Sequence, residues 1–148
     1  MAEWTREMVE ARLAEAAEVL KSQPAVKVQG YFNLWPRIRH EFADLVGREL
    51  PRMKRPLPSP AAIDRMEETI GWLRWLEPED AKLLWARAEG TPWKGVCWRF
   101  GIARATAHRR WEYALSVIAW RLQGRKVPTK RSREFLIERV RSASSGIR

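Results

Sequence analysis

The chain has 148 residues, room for one compact domain or two small helical subdomains but not for a large multidomain enzyme. Lysine and arginine number 28 against 18 acids, a formal net charge of +10, and 45% of residues are hydrophobic, which describes a basic globular chain and not a disordered one. No apolar run approaches a bilayer span, the charged start from Met1 to Glu7 does not read as a secretory signal, and a lone Cys97 excludes an internal disulfide or a cysteine-cluster metal site. No membrane partner is expected, and the cytoplasm is the expected location.

The hydrophobic periodicity is helical throughout, with no clean strand alternation. The first helix is expected over about residues 6–22, with Val9, Leu13, Ala16, Ala17 and Leu20 on its inner face. Thr5 is its expected cap, and Trp4 can staple onto Val9. Pro24 ends it. An aromatic turn from Val26 to Pro36 leads to a second helix over about 36–46, carrying Ile38, Phe42 and Leu45 and stopped by Gly47. Residues 48–60 read as a basic linker, because Pro51, Pro56, Pro58 and Pro60 interrupt any helix. Ser59-Pro60 is then a strong helix start, followed by a stripe of Ile63, Met66, Ile70, Leu73 and Leu76.

From Glu77 the chain reads as three helices broken at short intervals. The first opens at Glu77-Pro78-Glu79-Asp80, turns Ala81, Leu84, Trp85 and Ala88 inward, and stops at Gly90. Thr91-Pro92 restarts the chain, and Val96, Cys97 and Phe100 face inward up to the break at Gly101. A third helix follows from about 104 to 122, with Ala107, Trp111, Ala114, Leu115 and Ile118 inside. A short helix, a tight glycine turn and a longer helix describe a helix-turn-helix. Steeply crossing helices need a small contact residue, a glycine at the turn and an apolar plug behind it; Cys97, Gly101 and Ile102 supply these. The outer face of the third helix holds Arg104, Thr106, His108, Arg109 and Glu112, long polar side chains of the kind that read base edges in a major groove.

The stretch from Leu76 to Leu84, followed by Thr91-Pro92-Trp93-Lys94-Gly95-Val96-Cys97-Trp98-Arg99-Phe100-Gly101-Ile102-Ala103-Arg104-Ala105-Thr106-Ala107-His108-Arg109-Arg110, resembles region 4 of the sigma-70 family. That resemblance implies a domain that reads a promoter element with its last helix. Arg104, His108, Arg109 and Glu112 would then be base or backbone contacts. Two positions depart from the pattern: Gly95 replaces the usual acid of the second helix, and Ala103 replaces a capping hydroxyl before the third. The chain as a whole also resembles an uncharacterised family of small bacterial and prophage proteins.

Charge is distributed unevenly. Residues 1–22 hold three bases and five acids, whereas residues 121–148 hold nine bases and two acids. A base-rich end suits a polyanionic partner, nucleic acid above all. Arg125, Lys126, Lys130, Arg131 and Arg133 are the expected phosphate contacts, and Phe135, Leu136 and Val140 suggest a short docked helix with Ser142 onward frayed. Trp93, Trp98 and Arg99 read as the outer side of the second helix, either a contact with a second copy or RNA polymerase, or a surface packed under the N-terminal helices.

The expected organisation is all-α. It comprises an N-terminal helical region (1–47), the linker (48–60), a trihelical helix-turn-helix domain (61–126) and a basic tail with a short helix (127–148). No enzyme motif is present, no cofactor or metal is expected, and neither His40 nor His108 has partners at ligand spacing. The expected function is sequence-directed binding of double-stranded DNA, with transcription regulation as the leading role. The alternatives are a DNA-recognition subunit of a phage-type packaging machine and a protein-interaction adaptor.

Overall fold

Six helices and a short 3-10 turn account for most of residues 3–23 and 56–146, the residues that the computed structural model describes. They are α1 (Arg6–Ser22), α2 (Pro60–Trp72), the 3-10 turn Leu73–Trp75, α3 (Pro78–Ala88), α4 (Trp93–Phe100), α5 (Arg104–Leu122) and α6 (Arg133–Ser145). The fold is all-α, and no strand occurs among the described residues. The aromatic turn, the helix expected over 36–46 and the linker up to Arg55 lie outside them.

Local chemistry sets the helix ends. Thr5 Oγ1 accepts from the Met8 N–H, Ser59 Oγ from Ala62 and Ser132 Oγ from Phe135, each with the extended backbone of an N-cap. Pro60 and Pro78 occupy first-turn positions where a missing N–H costs nothing. Gly101 turns the chain out of α4 at φ 63° and ψ 35°, a left-handed conformation that glycine enters without a Cβ clash. The end of α6 is not frayed as expected. It continues through Ser145, with the Ser144 and Ser145 hydroxyls donating to the carbonyls of Val140 and Arg141.

Packing joins the two ends of the chain. Val9 and Leu13 of α1, Trp72 of α2, Leu84 of α3, Ala114, Leu115 and Ile118 of α5, and Val140 of α6 form one buried cluster. α1 and α6 are therefore not appendages to the 61–126 segment but walls of its core. Hydrophilic ties follow the same geometry: Arg12 meets Glu68 at 2.8 Å, Arg65 meets Glu15 at 2.7 Å, and Gln123 Nε2 donates to the Trp4 carbonyl at 3.0 Å.

Three inner faces differ from the periodicity. Val19 is buried where Leu20 was expected, and Leu20 is 43% exposed, because α2 lies against the Ala16–Val19 flank of α1 through Met66. On α2 the buried positions are Met66, Thr69 and Trp72, while Ile70 faces outward; the Thr69 hydroxyl is satisfied by the Arg65 carbonyl at 2.7 Å. On α3, Leu83 and Ala86 are buried as well as Leu84, since that helix is covered on one side by α1 and α5 and on the other by α4.

Candidate nucleic-acid interface

α4 is anchored by its inner face. Val96 is inaccessible, and Trp93, Cys97, Phe100 and Ile102 close around it with Leu83, Ala86, Ala107 and Trp111. After the Gly101 turn, Ile102 N–H donates to the Cys97 carbonyl at 3.3 Å, and the plug occupies the corner anticipated for it. Ala103 then adopts an extended N-cap conformation with no side-chain hydrogen bond. The first-turn N–H groups of α5 thus have no hydroxyl or carboxylate of the preceding residue to bond.

The first two turns of α5 separate two environments. Ala107 is completely buried, whereas Arg104, Thr106, His108 and Arg109 are exposed. His108 leans on the rings of Trp93 and Trp111, at centroid distances of 5.4 and 5.5 Å, with Nδ1 3.9 Å from Glu112 Oε2. Arg109 stands beside a groove of about 520 Å³ between α5 and α6. Thr106, Arg109, Arg110, Arg133 and Arg141 line it, with Glu112, Glu134 and Glu138 interleaved.

Glu112 does not belong to the outward-facing set. Its side chain is 18% exposed, and Oε1 accepts from Arg6 at 3.2 Å and from Arg141 at 3.3 Å. α1 and α6 close over the position where periodicity alone placed a base contact, and the carboxylate instead ties three helices together. Arg110 is similarly engaged, its Nε 3.9 Å from Asp80 Oδ1. Burial pushes the Asp80 carboxyl above its usual range, against the opposing pull of the Arg133 and Arg110 guanidiniums.

The basic tail divides. Arg133 lies over the Tyr113 ring at 5.0 Å and reaches the same groove as Arg109, so α6 carries it to the N-terminal half of α5. Arg125 lies over Trp120 at 4.8 Å, and the Lys126 carbonyl accepts from Trp120 Nε1 at 3.0 Å. Those two therefore sit at the opposite end of α5, about 25 Å from Arg104 at the helical rise. Arg131 lies over Phe135 at 5.2 Å, and Lys130 is exposed.

The three residues read as a protein contact also divide. Trp93 is turned inward: its ring meets Trp111 edge-on at 5.5 Å and carries the Arg87 guanidinium at 4.4 Å. It is part of the packing and not an open surface, because α5 crosses over that side of α4. Trp98 is 88% exposed and Arg99 is exposed beside it. Sequence reading passed over Lys94, which shares the outer stripe of α4 with Trp98 at the four-residue helical interval that could have revealed it. Among the described residues, no group of His, Cys, Asp or Glu could hold a metal ion, and no helix is long and apolar enough to cross a membrane.

Residues 21–118, well over half of the chain, match the model of a family described as a domain of unknown function, DUF6362, and the chain belongs to that family. The matching segment contains α2 to α4 and most of α5, and ends before α6. No curated protein and no solved structure matches the chain.

Proposed function

We propose that the protein binds double-stranded DNA in a sequence-directed way, with the N-terminal half of α5 in the major groove and transcription regulation as its role. One observation carries the reading: Arg104, Thr106, His108 and Arg109 are exposed on two turns whose opposite side is sealed by Ala107. A helix of about 10–12 Å diameter fits a major groove about 12 Å wide, and arginine can donate bidentately to guanine there. The unbonded first-turn N–H groups after Ala103 suit a backbone phosphate. Arg133, which lies over Tyr113 and lines the same groove as Arg109, suits a second. The resemblance of residues 76–110 to sigma-70 region 4 supports the same orientation, with Glu112 removed from the contact set.

Selection of bound duplexes from a random pool, followed by footprinting of the selected site with the intact protein, tests this. Arg104→Ala and Arg109→Ala are each expected to cost about 1–3 kcal/mol on that site and to relax its sequence preference. Arg133→Ala should weaken all duplexes alike and flatten the salt dependence by roughly one phosphate's worth. A double Arg104/Arg109 variant that bound as tightly and as selectively as the parent would refute the proposal.

A further inference from the structure

We infer that the outer face of α4, centred on Trp98, is a docking site for a partner protein segment that presents apolar side chains flanked by carboxylates. Every other large apolar side chain of α4 is drawn into the cluster around Val96, yet Trp98 is left 88% exposed. An indole offers one of the largest contact areas of any side chain, and an anchored helix holds it at little entropic cost on binding. In a helix a long side chain leans over the preceding turn. That turn holds Lys94 and Gly95. The result is an open aromatic face with Lys94 and Arg99 on its rim, the composition of an interface anchor.

Charge decides the occupant. Between Gly90 and Gly101 the sequence carries Lys94 and Arg99 and no acid. A second copy paired face to face would bring this same basic surface against itself, so the occupant carries the acids. Duplex DNA satisfies the cations but keeps its base faces stacked inside, and gives the indole nothing to cover it. A segment with carboxylates around an apolar patch satisfies both. This inference stands on α4 alone and does not rest on the proposed reading by α5.

A photoreactive benzoylphenylalanine at position 98 of the full chain, and separately at position 94, tests it in the cells that make the protein, with adducts sequenced by mass spectrometry. One dominant protein adduct at both positions, within an Asp- and Glu-rich segment and lost from the position-98 probe on Lys94→Glu/Arg99→Glu and from the position-94 probe on Arg99→Glu, is the expected result. A synthetic peptide of that segment should then bind the intact protein at least thirty-fold more weakly after Trp98→Ala, the size of an anchor residue, while Trp98→Phe retains part of the affinity. Adducts to DNA, to a second copy or to the chain's own residues, or none at either position while circular dichroism shows the parent fold, would overturn it.

Discussion

Replacing Leu13 by alanine probes whether the first helix belongs to the core that holds α5. Leu13 is 2% exposed and packs among Trp72, Leu84, Leu115 and Ile118. Three carbons leave, worth about 0.8 kcal/mol each in transfer alone, and every Å³ that fails to close adds roughly 24 cal/mol. A cavity of about 50 Å³ already lies against Leu13, Leu84, Trp111 and Leu115. The new void is continuous with it, so the cost should reach about 3–4 kcal/mol. For a chain of this size that lowers Tm by roughly 10 °C. Leu20→Ala is the matched control: the same chemistry on the same helix at a 43% exposed position, expected to stay within about 0.5 kcal/mol. Melts followed by far-ultraviolet circular dichroism and by tryptophan emission should coincide and shift together for Leu13→Ala. A loss below about 1 kcal/mol, or two separate transitions with the later one unmoved, would refute the shared core.

Three further outcomes follow. Because burial raises the Asp80 pKa, the folded state penalises its charged form. Stability therefore falls as pH rises from the usual aspartate value to the raised folded one, and is level above it. The stability difference between Asp80→Asn and the parent should accordingly move in favour of asparagine over that window, as read by urea unfolding at stepped pH; movement the other way contradicts the assignment. Ala103→Ser should add the missing cap to α5 and raise stability by about 1 kcal/mol, measurable as a rise in Tm; no rise would mean that the exposed first turn is already satisfied. Glu112→Ala leaves Arg6, whose side chain is 15% exposed, without its carboxylate. After allowance for solvent screening it should cost about 1–2 kcal/mol, whereas Glu67→Ala at an exposed position of α2 should be nearly neutral in the same denaturant titration.

Features fixed by neighbours in sequence were legible in advance. Thr5, Ser59-Pro60, Gly101 and the Ile102 plug act through bonds and dihedrals a few residues long, and each is found as read. What escaped depends on elements distant in the chain. Leu20 and Val19 are equivalent to a periodicity argument until α2 covers one flank. Glu112 shares a stripe with Arg104 and His108, and only the arrival of Arg6 and Arg141, 106 and 29 residues away, turns it from a base contact into a structural tie. Trp93 and Trp98 looked alike on a short helix; the crossing of α5 partly covers the first and leaves the second in water.

The stacked arginines change what kind of surface the base-rich end is. Arg125, Arg131 and Arg133 each rest on an aromatic ring. A guanidinium is flat and can lie on a ring while its edge still points outward, which a round ammonium cannot reproduce. Lysine in those places would keep the total and lose the posture. Three cations of the tail thus take their directions from the rings beneath them.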